Sequence, residues 1–451
     1  MFTPYLVALF VPAGRQNTAL GVISTAGLII AMLVQPAAGL LSDRSTSRFG
    51  RRRPFIFVGV LFDIVFLVAI GLSGSYWMLL VATLLIQFSA NVSHGPLQGL
   101  IPDLVPEDQR GRASAVKAVL ELVPIVLVGF TIAQLVGRGH LMWAIAATAV
   151  TLLITMLLTL VFVKETPLKE KPTVSLKIPM LRVLGMLAGI ALGAAAGLIG
   201  GGALGGLAGL IAWPFTGGTT ALAVGVGIGG AVAMAVAVVA GVWSGALATI
   251  GRDARRQSSF TWWVVNRLLF LAAVTSIQGF APFFLMYAFN VNAETAASMN
   301  GNLMTVIGLF VILSALPGGW VSDRLGPKRV AGASGLISAL GSIILLAAIW
   351  VPDMVVIYVA ASIIGLGAGL FMTANWALGT GLVPADEAGR YLGISNLAGA
   401  GAGMIGKGIG GPIADYMNGY LPGLGYFAIF ACYALLFALS TVSLVWVRKK
   451  A

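Results

Sequence analysis

Charge is scarce in this chain. Asp, Glu, Lys and Arg make up only 9% of its 451 residues, against about 25% in a soluble domain, so a water-soluble fold is excluded. Cysteine occurs once, at Cys432 inside an apolar run, which rules out an intrachain disulfide. The two histidines, His94 in an apolar run and His140 in a loop on the opposite side, leave no cluster that could hold a metal ion. Paired carboxylates and nucleophile constellations are also missing, so a membrane enzyme is disfavoured and no cofactor is expected. Met1 to Ala13 lacks the basic start and cleavage site of a signal peptide. The formal net charge of +12 does not imply nucleic acid, because the aqueous segments are too short to fold into a binding domain.

Apolar residues are what the chain has in abundance, at 59%, with a mean hydropathy of +0.98. They recur in runs near the ~20 residues that cross a bilayer as a helix. Charge and Gly/Pro punctuation place spans near 19–41, 54–72, 76–97, 113–135 and 141–163, then near 260–287, 299–321, 330–351, 355–381, 391–415 and 425–447, with two more near 183–213 and 219–250. The expected fold is an all-α polytopic membrane protein: an N-terminal bundle over 1–163, linkers and an inserted Gly-rich hairpin over 164–256, and a C-terminal bundle over 257–451. On this map 23 of the 27 Lys and Arg fall on one side. By the positive-inside rule that side is the cytoplasm. The chain therefore reads as a multi-pass protein of the cell (inner or plasma) membrane with a cytoplasmic C-terminus.

The sequence repeats itself. GLLSDR at 39–44 returns as GWVSDR at 319–324, and LVPEDQRGR at 104–112 returns as LVPADEAGR at 382–390. Two related halves around a midplane site are the architecture of many secondary transporters. FTPYLVALFV from Phe2 aligns with FAPFFLMYAF from Phe280, yet 260–279 has no counterpart before Met1. The first twelve residues reach only ~18 Å as helix, short of the ~30 Å core, so the first helix is expected to be truncated. In the hairpin, Gly185, Gly189, Gly193, Gly197, Gly201, Gly205 and Gly209 face Gly225, Gly229, Ala233, Ala237, Gly241 and Gly245 at the same four-residue interval, which lets two helices approach closely. A turn is expected over WPFTGG at 213–218. The hairpin suits a structural or protein–protein role better than a substrate role.

QPAAGLLSDRSTSRFGRRRPFI at 35–56, with TPY at 3–5 and GPLQGLIPDLVPEDQRGRAS at 95–114, resembles the sucrose carriers and the glycoside-pentoside-hexuronide cation symporter branch of the major facilitator superfamily. GWVSDRLGPKR at 319–329 is similar to the superfamily's loop motif. The resemblance implies two six-helix bundles, with the hairpin extra, and a cation-coupled, alternating-access carrier of a sugar or glycoside. It also implies a gating role for Gly39, Asp43, Arg44, Arg48, Arg51, Arg52, Asp103, Arg110, Arg112, Gly319, Asp323, Arg324 and Arg329. Asp43 and Asp323 end helices, where a carboxylate can accept backbone N–H groups from a neighbouring helix start. Plant-type sucrose carriers have an Asp and an Arg where this chain has Gln87 and Gln98, so neither sucrose nor proton symport carries over.

Polar residues inside the spans are the candidates for the solute and ion pathway. Gln87, Asn91, His94 and Gln98 share one helix face, either as hydrogen-bond partners of a hydroxylated solute or as interhelical glue. Lys117 and Glu121 stand one turn apart and can pair. Asp63 is a second carboxylate within a span. Arg267 and Gln278 share a face, with Arg267 near enough to the cytoplasmic end to snorkel, and Asn375, Trp376 and Lys407 complete the set. The partners implied are the bilayer, a small solute and a proton or sodium ion, not nucleic acid. An exporter of drugs or hydrophobic metabolites, a pigment-related carrier, and a non-transporting receptor or scaffold are the alternatives. If Glu121 couples transport, Glu121→Gln abolishes uphill uptake and spares counterflow; unchanged accumulation rejects the role.

Overall fold

The computed structural model describes residues 2–106, 109, 120, 123–124, 126–165, 167, 177–382 and 388–448, and within these it is helical with no strand. The first helices are α1 (Phe2–Phe10), α2 (Gln16–Ser42), α3 (Arg53–Gly71) and α4 (Tyr76–Gln98). They are followed by α5 (Val126–Gly137), α6 (Leu141–Phe162), α7 (Lys177–Thr216) and α8 (Gly218–Ile250). Besides two short helices, Leu100–Leu104 and Asp253–Arg256, there follow α9 (Ser258–Phe289), α10 (Ala293–Leu325), α11 (Pro327–Ala347), α12 (Met354–Thr380), α13 (Ala388–Tyr420) and α14 (Leu424–Ser443). Among the described residues, 11 helices are long and apolar enough to cross a membrane.

Three helix starts on the side away from the arginines carry their own side-chain caps. Ser75, Asn292 and Asp353 each accept a backbone N–H from the first turn of α4, α10 and α12, at 3.4, 2.9 and 2.8 Å, which satisfies donors that the helix itself leaves open. On the opposite side, Gly326 at φ +89° followed by Pro327 turns α10 into α11. The left-handed backbone there suits glycine, and proline suits the first helical position.

Two packing groups result. α3 packs on α4 and α6, and α2 on α4; α9 to α14 pack among themselves; α2 meets α13, and α5 meets α10, where the groups join. α9 is the most enclosed of the candidate spans. Its Phe270 stacks on Phe371 at 3.7 Å and meets Phe437 edge-on at 5.0 Å, a dispersion-rich core that needs no polar partner. By contrast α6 exposes Trp143, Leu153, Ile154 and Phe162. Water-facing side chains of this kind are costly and lipid-facing ones are not, so this surface belongs to the bilayer.

α7 and α8 lie in close mutual contact along their glycine stripes. A Cβ added at Gly197 would come within 2.8 Å of the Ala237 Cβ, one at Gly201 within 2.7 Å of the Ala233 Cβ, and one at Gly205 within 2.8 Å of the Gly229 Cα. The spacing therefore sets backbone separation, as small residues do where helices cannot rely on water to drive them together. The turn between the helices is shorter than expected. α7 continues through Pro214 to Thr216, and Gly217 at φ +81° makes the reversal. α8 also packs on α13, α9 and α14, and α7 on α2. An apolar crevice of about 710 Å³ between α7, α8 and α13 is lined by Gly201, Gly205, Gly225, Gly229, Gly408 and Pro412.

Gly201→Val is expected to cost about 1–3 kcal/mol by overpacking and to lower the melting temperature in detergent by several degrees. Gly202→Ala, next along the chain where an added Cβ meets nothing within 4 Å, is expected to leave it unchanged or raise it. Equal melting shifts for the two would show that the stripe does not set the helix pairing.

Candidate functional site

Three first-group helices are tied together at their arginine-rich ends. Arg52, at the start of α3, is buried with 7% exposure. Its guanidinium bonds Asp43 at the end of α2 at 2.9 Å, bonds Asp103 through Nε, and reaches the Pro96 carbonyl at 3.4 Å. Arg51 also pairs with Asp103. A planar fork with five donors suits a site where three acceptors converge from different helices. Burial alone would raise the Asp103 carboxyl, but hydrogen bonds from Arg52 and Arg51, and their charges, hold it below the ordinary carboxylate value.

The carboxylate at the start of α3 is Glu165, which lies beyond α6. It accepts the backbone N–H groups of Arg52 and Arg53, both at 3.0 Å, and the Arg53 guanidinium bonds the Leu160 carbonyl of α6. The helix-start role expected of Asp43 is therefore filled by Glu165. Asp43 is engaged instead by the Arg52 side chain, which reaches it first across the short loop.

The repeat of this motif is built differently. Asp323, Arg324 and Arg329 are exposed, and among the described residues they make no ion pair; Arg324 lies over the Trp320 ring at 3.7 Å. A Cβ at Gly319 would meet nothing within 4 Å. Among the described residues no guanidinium pairs with Asp323, and the side chains of the repeated second loop, over 383–390, lie outside them. Gly39 likewise makes no close approach, with the Gly95 backbone 3.9 Å away, and the tight neighbour is Gly95 itself, against Gln35 and Gly39. Arg48 stacks on Phe49 at 4.8 Å, and Arg44 makes no ion pair among the described residues. Arg110 and Arg112 lie outside the described residues.

Within the spans, a polar relay crosses α14, α9 and α12. Asn266 donates to the Ser440 carbonyl at 2.7 Å, and Asn375 donates to Asn266 Oδ1 at 2.7 Å. The Asn375 carbonyl accepts the Trp263 indole N–H at 2.9 Å, and Arg267 Nη1 donates to Asn375 Oδ1 at 3.5 Å. The Arg267 guanidinium lies 5.4 Å from the ring of Trp376, which is 41% exposed. Arg267 therefore does not snorkel outward. The Asn375 amide, itself held by Asn266, and the indole face draw it toward α12. Lys407 on α13 reaches α9, where a Cβ at Gly279 would meet its Cε at 2.6 Å and Nζ at 3.1 Å; it has no hydrogen-bond or ion-pair partner among the described residues. Gln278, one residue before Gly279, is half-buried.

The face expected on α4 divides. Gln87 packs on Gly27 of α2, and Asn91 is buried with its amide spent on the Gln87 carbonyl at 2.7 Å. His94 and Gln98 are exposed and lie 2.9 Å apart. Asp63 is buried against Ser89, which donates to it, a contact that packs α3 on α4. Lys117 and Glu121 lie outside the described residues.

Side-chain hydrogen bonds between described residues join the two packing groups at the end away from the arginines. Tyr5 of α1 donates to Glu294 of α10 at 3.3 Å, and Gln134 of α5 donates to Asn302 of α10 at 2.7 Å. Asp415 of α13 accepts three donors from the start of α2.

This arrangement, two helix groups joined along two seams with polar side chains between them, has counterparts. A profile described as Major Facilitator Superfamily matches residues 1–253 and 264–451. The chain belongs to that superfamily. That superfamily consists of multi-pass membrane transporters of the secondary type, not enzymes, and the helices of this chain adopt its all-α fold. Sucrose transport protein SUC3 of Arabidopsis thaliana is 30% identical over 212 residues, 38% of this chain and 35% of that protein. Proton-associated sugar transporter A of Homo sapiens is 31% identical over 193 residues, 38% of this chain and 26% of that one. The chain spans about a third or less of the length of these relatives. Among solved structures, a D-xylose-proton symporter superposes with a TM-score of 0.65 at 14% identity, covering 98% of this chain and 91% of that one. A peptide transporter POT gives 0.64 at 14%, covering 99% and 90%. At such identity the likeness concerns fold alone.

Glu165, Asp415 and Asn266 are the site residues that span reading passes over. Glu165 and Asp415 sit at the edges of apolar runs, where a carboxylate reads as a boundary, and Asn266 is one amide in a long span; only the partner helices single them out.

Arg52→Leu is expected to cost about 1–3 kcal/mol near neutral pH, because it leaves two carboxylates without their shared cation. The folded carboxyl of Asp103 lies below its unfolded value, so its contribution is present above about pH 4 and lost as pH falls through the lowered folded value. The melting gap between wild type and Arg52→Leu should therefore close on acidification. A gap that is constant or widens would exclude the ion pair as its source.

Proposed function

We propose that this superfamily member is an alternating-access carrier that takes up a sugar, glycoside or similar small hydroxylated solute together with a cation, and that its arginine-rich side faces the cytoplasm of a cell (inner or plasma) membrane. The observation that carries the reading is the Arg267–Asn375–Trp376 set. It offers a charged donor, oriented by the buried Asn375, beside an open indole face, and a sugar ring needs both, since one face of the ring is lined by C–H groups and its rim by hydroxyls. The positioned guanidinium is held by the relay from Ser440 through Asn266 and Asn375, so it need not reorganise when solute arrives. The named activities of the sucrose and proton-associated sugar relatives support the same class.

Lys407 and Gln278 add a second polar point on α13 and α9 in this reading, with Lys117 and Glu121 as the coupling pair. Helices α1 to α6 and α9 to α14 form the two rocking bundles, and α7 with α8 an added hairpin. The exposed His94 and Gln98 lie at the cytoplasmic mouth, and Arg52 with Asp43 and Asp103 keeps the first bundle rigid during the swing.

The test is uptake of radiolabelled sugars and glycosides by proteoliposomes under imposed proton or sodium gradients. Arg267→Gln and Trp376→Ala are expected to lower kcat/KM by roughly ten- to a hundredfold, the range set by losing a charge-assisted hydrogen bond or a stacking face, with melting temperatures near wild type. Failure of every sugar and glycoside tested to accumulate above protein-free vesicles, under either gradient, would overturn the reading.

A further inference from the structure

α2 has no cap of its own. Its N-cap position is Arg15, which makes no side-chain cap hydrogen bond, so the first N–H donors of the helix must be satisfied elsewhere. The partner comes from the other packing group. Asp415, on α13 and 8% exposed, accepts the backbone N–H of Thr18 at 2.7 Å through Oδ2. Through Oδ1 it accepts the backbone N–H of Asn17 at 3.3 Å and the Asn17 side-chain amide at 2.8 Å. The negative charge sits at the positive end of the α2 dipole, the stabilising arrangement, and its hydrogen bonds are charge-assisted.

The same crossing brings the two backbones together: a Cβ at Gly21 of α2 would lie 2.6 Å from the Lys407 carbonyl, and one at Gly411 of α13 would strike the Asn17 carbonyl. Carboxylate, donors and close-packed glycines therefore form one contact, and it is placed where α2 and α13 must separate if the carrier is to open away from the arginine-rich side. The neighbouring starts of α4, α10 and α12 take their caps from their own flanking residues, so no rigid-body motion can remove them. Of these four starts, only that of α2 loses its cap when the groups part.

We propose that Asp415 is the latch of the outer gate: a positioning residue on α13 that closes the far side by supplying, in trans, the helix cap that α2 lacks. This rests on the alternating-access reading and deepens it, assigning the state-setting contact to one side chain. Opening breaks all three hydrogen bonds together and leaves two backbone donors and a carboxylate to be rehydrated, so the latch contributes to the balance between the outward-closed and outward-open forms without touching solute.

The test measures that balance directly. Spin labels are placed on Ala13→Cys and Leu421→Cys, exposed positions just before α2 and just after α13, in a Cys432→Ser background, and inter-label distances are recorded in nanodiscs without solute. Asp415→Asn removes the charge and turns one acceptor into a donor facing N–H groups. It is expected to raise the long-distance population relative to the short one by ~10-fold or more, in line with the loss of charge-assisted hydrogen bonds. Asn17→Ala deletes one of the three hydrogen bonds and leaves the carboxylate capping the backbone, so it should give a smaller shift in the same direction, and it carries the test should the first variant fail to fold. Wild-type distance distributions in both variants, or in Asn17→Ala alone when it is the folded one, overturn the latch. Because no solute is present, an inactive carrier still reports on the gate. Failure of uptake by the wild type, with the distance shift intact, would count against the transport reading only.

Discussion

Hydrocarbon offers a backbone no hydrogen-bond partner, and nearly every feature of this chain follows from that constraint. Each span must be a helix, and each helix must find partners for its end groups within the protein or at the interface. Where a cap is supplied by the next residues of the same segment, as at Ser75, Asn292 and Asp353, the helix is independent of its neighbours. Where it is supplied by another helix, satisfying the backbone becomes a tertiary interaction. The start of α3 takes Glu165 from beyond α6, and the start of α2 takes Asp415 from α13.

These two borrowed caps do different things because of what they connect. Glu165, Arg52, Asp43 and Asp103 all belong to the first group of helices, so their hydrogen bonds make one end of that group rigid and cost nothing when the groups move apart. Asp415 joins α13 to α2 across the seam. A carrier that exposes its solute site to alternate sides needs rigid bundles and breakable seams, and the polar ties in this chain are distributed that way. The stripes of α7 and α8 add a third kind of contact, without polar side chains, in which glycine sets the distance between backbones.

Much of this was legible in the sequence. Among the described residues hydropathy located the long spans to within about six residues, since an apolar run near ~20 residues has one stable fate in a bilayer, while the span expected near 113–135 lies partly outside them. The small-residue period announced the α7/α8 pairing, and the repeated loop motif singled out Asp43, Arg52 and Asp103. What local pattern could not do was match a side chain to a partner far along the chain. It assigned Asp43 the backbone donors that Glu165 holds, and sent Arg267 outward where Asn375 and Trp376 draw it inward. It also treated Asp415 as the end of a span, although that carboxylate holds the start of another.

The sequence by itself determined that this is a polytopic helical membrane protein of two related sets of helices, with its cations gathered on one side. It could do so because hydrophobic run length, charge asymmetry and repetition are properties of segments, read without knowing their neighbours. Only the tertiary structure decided which polar groups meet: that α2 is capped by Asp415, that α3 is capped by Glu165, and that Arg267 faces Trp376. A hydrogen bond depends on the approach of two groups to within about 3 Å, and for residues nearly four hundred positions apart that approach is created by the packing of the helices between them.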